Sequence, residues 1–264
     1  MRLSLVQVTV GPHIDKNFQK VDKFINQALS FDPDLILLPE CFLFLSNLKK
    51  TSFTMDHDYI LHYQNFTKIN KVNLLLGSLP ILDEGKVYNR SILINQDGSI
   101  SSYYDKIHMF DVSVNDNTGS YRESATTEAG DTVVTVETPI GNIGLAVCYD
   151  VRFPGLFTAM GDIAILVLPA AFTQRTGEAH WHALLQARAI EKQCFVVAAN
   201  QSGVHANGRE TYGHSLVLSP WGETLAESKT DVGLVSAKVD IAERETIKQN
   251  MPVAEHNRFR SHLV

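Results

Sequence analysis

The sequence predicts one α/β domain over residues 1–264, in which helices cover β-sheets on their outer faces. Short, wholly apolar segments alternate with amphipathic stretches of helical period from the first residues onward, and strands of antiparallel type follow in the last third. The chain has 264 residues, of which 44% are hydrophobic, so it can bury a substantial core. Neither a break in composition nor a repeat of fixed period divides it.

The first forty residues predict a strand, a helix and a second strand. The opening strand carries Leu3, Leu5, Val8 and Val10, and a helix follows with the apolar stripe Phe18, Val21, Ile25 and Leu29. Asp32-Pro33-Asp34 is a turn, and Leu35-Ile36-Leu37-Leu38 is a buried strand. This order implies a parallel pair of strands joined by a right-handed crossover.

The remaining elements are predicted from the same patterns. A loop and then a helix are expected over 49–70, and a polar, irregular loop is expected over 111–130. The other predicted helices cover 177–192 and 241–250. The other predicted strands are 73–78, 87–94, 100–104, 133–136, 143–147, 163–168, 195–199 and an antiparallel group at 214–218, 224–226 and 234–239.

Composition excludes several classes of function. The net charge of −6 without a basic cluster argues against nucleic-acid binding, and no apolar run reaches membrane-spanning length. Three cysteines without a CxxC pair, and an opening strand in place of a signal peptide, indicate a reduced, cytoplasmic setting. Nothing resembles a phosphate loop or a dinucleotide fingerprint, so no cofactor is expected. His180 and His182 are two residues apart on a helix and do not share a face, so we expect no metal site there.

Three reactive side chains stand just beyond apolar strands. Glu40 follows Leu-Ile-Leu-Leu-Pro, Lys106 follows Ser-Tyr-Tyr-Asp, and Cys148 follows Gly-Leu-Ala-Val. Pro154 suits the first turn of a helix, so Cys148 is expected on a sharp turn between a strand and a helix. If the three strands lie side by side in parallel, their ends bring the three residues together.

The three residues suit amide hydrolysis as a set. A free thiol titrates near ~8.5, so a nucleophilic cysteine needs a base or a positive neighbour. Glu40 would take the thiol proton, with a pKa raised toward neutrality. Lys106 and the backbone N–H of Tyr149 would stabilise the oxyanion. Each residue alone is more often structural; it is the combination that predicts chemistry.

At these residues the sequence resembles the nitrilase superfamily of carbon–nitrogen hydrolases. The matching motifs are Leu-Leu-Pro-Glu-Cys-Phe ending at 42, Tyr-Asp-Lys-Ile-His at 104–108, and Gly-Leu-Ala-Val-Cys-Tyr-Asp-Val-Arg-Phe-Pro at 144–154. The resemblance implies a four-layer αββα sandwich of mixed α/β class. It also implies a Glu40–Lys106–Cys148 triad, and a second glutamate, Glu123, that holds Lys106 and meets the substrate amide.

Within that superfamily the chain is most similar to the Nit branch, at 106–112, 171–181, 187–191 and 212–215. The stretches 193–199 and 203–205 resemble deaminated glutathione amidases more than ω-amidases, and both groups act on short 2-oxo acids. A nitrile or N-carbamoyl substrate, and a catalytically silent scaffold, stay open as alternatives. The segment 49–65 matches the branch poorly and leaves the substrate open.

Several residues are candidates for substrate binding. Arg152, four residues after Cys148, either meets a substrate carboxylate or clamps a structural acid. Arg175 is a second carboxylate candidate, and Tyr212 and His205 are expected to line the mouth of the site. Tyr149 is a substrate-binding candidate through its backbone N–H. The resemblance also implies a homodimer or a higher homo-oligomer. The stretch 153–160 and Phe259 are candidate contacts between copies.

Overall fold

The computed structural model describes residues 1–45 and 51–259. Its helices, numbered in chain order, are α1 (Ile14–Ala28), α2 (Asp58–Asn70), α3 (Pro154–Ala159), α4 (Gln174–Lys192), α5 (Ile241–Asn250) and α6 (Val253–His256). The first eight strands are β1 (Arg2–Gln7), β2 (Leu35–Leu37), β3 (Asn73–Asp83), β4 (Lys86–Ile94), β5 (Ile100–Asp105), β6 (Asp111–Ser113), β7 (Ser120–Arg122) and β8 (Thr135–Thr138). The other eight are β9 (Gly141–Leu145), β10 (Ile165–Val167), β11 (Phe195–Ala198), β12 (Ser202–Val204), β13 (Glu210–Tyr212), β14 (Leu216–Leu218), β15 (Thr224–Glu227) and β16 (Gly233–Lys238).

Two six-stranded sheets form the centre of the molecule. The first has the strand order β16-β1-β2-β3-β4-β5, and the second has the order β15-β14-β11-β10-β9-β8. In each sheet three consecutive strands run parallel, β1-β2-β3 in the first and β9-β10-β11 in the second, and antiparallel strands flank them. The hairpins β6-β7 and β12-β13 lie outside the two sheets.

The alternation of apolar side chains along the strands builds four layers. Leu35 and Leu37 of β2 join the core between the two sheets, whereas Ile36 faces the core beneath α1 and α2. The other face of the second sheet packs on α4 through residues such as Trp181 and Leu185. The result is the αββα sandwich, and this prediction is confirmed. Within the described ranges, no helix has the length and apolar character needed to cross a bilayer.

Three local predictions are wrong. Residues 111–130 are not irregular throughout, because β6 and β7 pair as a hairpin and a 3-10 turn follows at Glu123–Ala125. The strand at 233–238 does not pair with β15; it pairs with β1 and forms an edge of the first sheet. The strands before the three reactive residues are not neighbours in one sheet. β2 and β5 run in the same direction in the first sheet with β3 and β4 between them, and β9 lies in the second sheet.

Packing of the two sheets is therefore what brings the strand ends together. A hydrogen bond between segments that follow strands of the two sheets shows this contact directly. The backbone N–H of Ala171, beyond β10, donates to Oε2 of Glu40, beyond β2, over 2.8 Å. The carboxyl ends of both sets of parallel strands thus meet at one end of the sandwich, where ligands of α/β proteins commonly bind.

Candidate active site

A cavity of about 350 Å³ opens at this end of the sandwich. The four residues predicted to carry the chemistry all line this cavity: Glu40, Lys106, Glu123 and Cys148. The other lining residues are Cys41, Leu45, Asn89, Phe110, Tyr121, Arg122, Thr126, Tyr149, Ala171, Phe172, Thr173, Thr176 and Arg209.

Of the segment 49–65, which matches the Nit branch poorly, residues 49 and 50 lie outside the described residues. Asp58–Asn70 is helix α2, which packs on the first sheet.

The Lys106 ammonium joins two carboxylates in the cavity wall. Its Nζ lies 2.9 Å from Oε1 of Glu40, and 2.8 and 3.1 Å from the two carboxylate oxygens of Glu123. The Lys106 side chain is only 2% exposed, so these contacts replace the water that the charge has lost. The three N–H groups of the ammonium have three acceptors, which holds the charge in one place.

Asn89 links the same two carboxylates from the other side. Its Nδ2 donates to Oε1 of Glu40 and to Oε1 of Glu123, both over 3.0 Å. Glu40 also accepts the Ala171 backbone N–H, and Glu123 accepts the backbone N–H of Phe110 over 2.8 Å. Both carboxylates are therefore held in position by several donors. Sequence analysis missed Asn89, because it stands in the polar run Asn89-Arg90-Ser91 of its strand and nothing there marks it as a functional residue.

The charges of the site set the protonation state of each group. Burial raises the pKa of the Glu40 carboxyl, but the Lys106 charge and its hydrogen bond oppose this rise. Together with weaker influences they outweigh it, so the pKa lies below its ordinary value. Burial opposes the charge of Lys106 as well, yet Glu123 and Glu40 raise its pKa well above the usual range. Burial, followed by the Glu40 charge, raises the pKa of the Cys148 thiol. The resting site holds a carboxylate, an ammonium and a neutral thiol, so the expected rise in the pKa of Glu40 is wrong.

Cys148 lies on a strained turn. It follows β9 and opens a 3-10 turn over Cys148–Arg152, with φ of 49° in the left-handed region that non-glycine residues rarely adopt. Its backbone N–H donates to the carbonyl of Pro169 over 2.9 Å. Strain of this kind costs on the order of 1–3 kcal/mol and concentrates at functional sites. Pro154 begins α3 directly after the turn, as predicted from sequence.

The buried carboxylate of Asp150 holds this turn in place. Its Oδ2 accepts the backbone N–H of Val147 and the hydroxyl of Tyr104, each over 2.8 Å. Its Oδ1 accepts both the backbone N–H of His108, over 3.1 Å, and the Nδ1 of its ring, over 2.7 Å. Asp150 therefore ties the segment that carries Lys106 to the turn that carries Cys148. We did not predict this role, because Asp150 reads in sequence as an ordinary polar residue after a strand.

Comparison with known proteins identifies the family. The sequence profile described as "Carbon-nitrogen hydrolase" matches residues 2–249. The chain belongs to the carbon–nitrogen hydrolase family. It is 36% identical to a deaminated glutathione amidase of Yersinia enterocolitica over 99% of this chain and 94% of that protein. It is 37% identical to a mouse protein of the same name, over 97% of this chain and 83% of that protein.

Solved structures agree with the assignment. The crystal structure of Saccharomyces cerevisiae Nit3, described as a member of branch 10 of the nitrilase superfamily, superposes with a TM-score of 0.88 at 29% identity. That match covers 98% of this chain and 97% of Nit3. The Caenorhabditis elegans NitFhit protein superposes with a TM-score of 0.88 at 35% identity, over 97% of this chain and 65% of that protein. The predicted membership of the nitrilase superfamily, its Nit branch included, is confirmed, and the chain is a C–N hydrolase acting on amides.

The backbone N–H groups of Cys148 and Tyr149, next to the nucleophilic sulfur, differ in whether they are free to bind an oxyanion. The N–H of Cys148 is already bonded to Pro169. The next backbone N–H, that of Tyr149, donates no hydrogen bond to any described residue. The Tyr149 N–H is therefore the one that can turn to a developing oxyanion beside the sulfur.

One cation of the cavity was missed in the sequence. Arg209 donates through Nη2 to the carbonyl of Ala171, and its guanidinium lies 5.2 Å from the centre of the Tyr121 ring. Its Nε is buried without a hydrogen-bond partner. An arginine that lines a cavity is suited to an anionic group. Arg209 stands in a polar stretch that contains no local pattern to mark it.

Of the four substrate-binding candidates, the structure places only Tyr149 in the cavity lining. Arg152 lies behind the wall, with its guanidinium 5.1 Å from the centre of the Phe172 ring and Nη1 3.2 Å from Nδ1 of His180. Arg175 donates to the carbonyl of Asn115 over 2.8 Å, away from the cavity lining. Tyr212 is buried, and its ring stacks on His214 at 4.2 Å.

Proposed function

We propose that this hydrolase cleaves the amide of a small 2-oxo acid, with deaminated glutathione as the favoured substrate. The name of its full-length relatives in Yersinia and mouse supports that substrate. The observation that carries the proposal is the cavity itself. A thiol, a carboxylate and a buried ammonium stand at one part of its wall, and a second cation, Arg209, with an unused donor, stands in the same wall.

The first half of the reaction forms a thioester. The sulfur of Cys148 attacks the amide carbonyl while Glu40 takes the thiol proton. The negative charge passes from Glu40 to sulfur and then to the carbonyl oxygen, which lies between the Tyr149 N–H and Lys106. Lys106 donates to this oxygen by giving up its 3.1 Å bond to Glu123, the longest of its three. The C–N bond then breaks, and the amine leaves with the proton from Glu40.

The second half hydrolyses that thioester. Glu40 takes a proton from water, the resulting hydroxide attacks the thioester carbonyl, and the same two donors hold the second oxyanion. The C–S bond breaks, the acid leaves, and Glu40 returns the proton to the Cys148 sulfur. Glu123 keeps Lys106 in place throughout, through the 2.8 Å bond that remains when the 3.1 Å bond is given up.

Recognition of the 2-oxo acid end falls to the second cation. Arg209 brings its guanidinium charge to the cavity wall, and Arg122, in the exposed part of the lining, adds positive charge. Arg152 and Arg175 are not in the cavity lining, so we assign the carboxylate contact to Arg209 in their place. Tyr149 and Phe172 supply apolar surface for the rest of the substrate.

A substrate panel tests the proposal. The purified chain is assayed with deaminated glutathione, 2-oxoglutaramate, a simple aliphatic amide, a nitrile and an N-carbamoyl amino acid, and kcat/KM is compared. We expect deaminated glutathione to be the best substrate, with release of the amine and the 2-oxo diacid in equal amounts. Preference for 2-oxoglutaramate would make the protein an ω-amidase, and preference for the nitrile or carbamoyl compound would overturn the 2-oxo acid assignment.

A matched variant separates catalysis from binding alone. Cys148→Ala should release no product while keeping its melting temperature within a few degrees, since only one sulfur is lost. Turnover at the native rate in this variant would overturn the role of Cys148. A native chain that is inactive on every substrate would favour the catalytically silent scaffold.

We further propose a cytoplasmic homodimer. All three cysteines are free thiols in the described structure, as a reducing compartment allows. The stretch expected at the interface, 153–160, turns Leu156, Phe157 and Met160 inward, so it offers less apolar surface than its sequence implied. Large apolar side chains that remain exposed include Ile190 on α4, Trp221, Met251 and Phe259. Light scattering of the purified chain measures the oligomeric state.

A further inference from the structure

Three metal-ligating side chains converge on the outer side of the second sheet, apart from the cavity. His182 lies on α4, His214 lies just before β14, and Glu227 ends β15. One ligand atom from each residue lies within 4.8 Å of the other two. The three come from separate parts of the chain, so the cluster is a product of the fold and not of local sequence.

The contacts of Glu227 are unusual for a surface carboxylate. Nε2 of His182 lies 2.7 Å and Nδ1 of His214 lies 2.6 Å from the same oxygen, Oε1. Both ring nitrogens therefore point at one spot, and each needs a proton there to donate to the oxygen. A cation in the centre would meet two imidazole nitrogens and a carboxylate without any change of fold.

Neighbouring groups fix the orientation of the His214 ring. Tyr212 stacks on it with an interplanar angle of 19°, and the His182 ring meets it edge-on at 79°. The carbonyl of His214 accepts Nε1–H of Trp181 over 2.9 Å, and its backbone N–H donates to the Lys229 carbonyl over 2.7 Å. The ligands are thus already oriented, which reduces the entropy that binding costs.

We propose that His182, His214 and Glu227 form a zinc site that joins helix α4 to the β14–β15 hairpin. Two imidazoles and one carboxylate are a ligand set that Zn²⁺ favours, with bonds of roughly 2.0–2.2 Å. A tetrahedral ion holds its ligand atoms roughly 3.3 Å apart at such bond lengths, so Oε1 of Glu227 must withdraw from each nitrogen by less than ~1 Å. The two ring nitrogens, which lie within 4.8 Å of each other, must adjust to the same spacing. The side chains of His182, His214 and Glu227 are 36%, 18% and 26% exposed, which leaves a way in for the ion and a position for water.

Because His182 lies on α4, a zinc ion bound there would affect the stability of this helix. Thr173 and Thr176, at the start of this helix, line the cavity. A zinc ion at His182, two turns further along, would fasten the helix to the sheet beneath it. We therefore expect zinc to stabilise the fold, with no part in the chemical step.

Zinc binding is measured on chelator-treated Cys148→Ala protein, because the catalytic thiol would itself bind zinc. Titration against a zinc indicator should show one tight site per chain. At a zinc concentration 100-fold above the dissociation constant, the melting temperature should rise by about 5 °C. His182→Ala and Glu227→Gln in the same background should lose both the site and the rise.

The matched control is His180→Ala, two residues away on the same helix, whose ring faces Arg152. This variant should bind zinc as the parent does. Equal zinc binding by the parent and by His182→Ala, or none by the parent, would overturn the proposal. His182 lies on the half-exposed face of α4, so its loss should leave the fold intact, as circular dichroism would verify.

Discussion

The Lys106 ammonium lies 2.9 Å from the Glu40 carboxylate, and both side chains are almost fully withdrawn from water. Glu123 pairs with the same ammonium, so these three side chains carry one positive and two negative charges, and Arg209 adds a second positive charge in the same wall. Transfer of the Cys148 proton to Glu40 moves a negative charge from oxygen to sulfur and creates none. A base with a lowered pKa can therefore work here, because the cost of a new buried charge does not arise.

The first prediction concerns the loss of that ammonium. In Lys106→Met two carboxylates lose the buried cation that bonds both of them, so we expect a loss of about 3–5 kcal/mol of stability. Activity should fall by at least ~10²-fold, since the oxyanion loses its main cation. Chemical denaturation and steady-state kinetics measure the two effects. Lys86→Met, at an exposed lysine 3.9 Å from Glu128, is the control and should change neither.

The second prediction concerns pH. The pKa of Glu40 is lowered, so the carboxylate is present above its unfolded value, near ~4.3, and is lost only as the pH falls through the lower folded value. The value of kcat/KM should therefore stay level from pH 8 to about 5, with the acid limb below the ordinary glutamate range. Lys106, whose pKa is raised, keeps its charge on the alkaline side and loses it only above its usual range.

A pH profile of kcat/KM tests this with deaminated glutathione. An acid limb near 6.5 would indicate a histidine, and it would contradict the assignment of Glu40 as the base. In Lys106→Met the strongest influence that lowers the pKa of Glu40 is gone, so its acid limb should move to higher pH.

The third prediction concerns Asn89, which donates to both carboxylates. Asn89→Ala removes two hydrogen bonds to charged groups and leaves their oxygens less well satisfied, at a cost of about 1–3 kcal/mol. We expect kcat to fall by about tenfold or more, because Glu40 loses part of its orientation. Asn95→Ala, at an exposed asparagine that bonds Ser99, should leave kcat unchanged. Equal kcat values for Asn89→Ala and wild type would rule out a positioning role.

How far the site could be predicted depended on the kind of signal each residue leaves. Glu40, Lys106 and Cys148 each break an apolar run, so the sequence marks them. These three residues come together because the two sheets pack on each other, and the apolar pattern of single strands does not predict that packing. Arg209 has no apolar run before it, and only the folded chain shows that it lines the cavity.

The fold itself was predictable where apolar periodicity was strong. The strands β2, β10 and β11 are wholly buried and read clearly as apolar runs. The β6–β7 hairpin was missed, because its three-residue strands alternate exposed and half-buried side chains without an apolar face. The left-handed φ of Cys148 was also invisible, since a cysteine, unlike a glycine, does not suggest such a conformation.

The fourth prediction concerns substrate recognition. Arg209→Lys keeps a positive charge but loses the planar donor, so KM for 2-oxo acid substrates should rise by about tenfold, whereas kcat should change little. A neutral aliphatic amide lacks the carboxylate and should be affected less. Arg175→Lys, outside the cavity lining, is the matched control and should leave both constants unchanged. An equal loss on both substrates would mean that Arg209 supports the wall and does not read the carboxylate.

The fifth prediction concerns the reactivity of the three thiols. Burial raises the pKa of all three, to about 12 for Cys194 and further for Cys41. None is a thiolate at pH 7.5, so iodoacetamide should react slowly with the resting protein.

Cys148 should still react fastest of the three cysteines, because Glu40 can take its proton during attack and the cavity admits the reagent. In Glu40→Gln this advantage should disappear, and the rate at Cys148 should fall to that of Cys41, which lines the same cavity. Mass spectrometry of the alkylated peptides measures each rate; equal rates at Cys148 in wild type and Glu40→Gln would contradict proton transfer to Glu40.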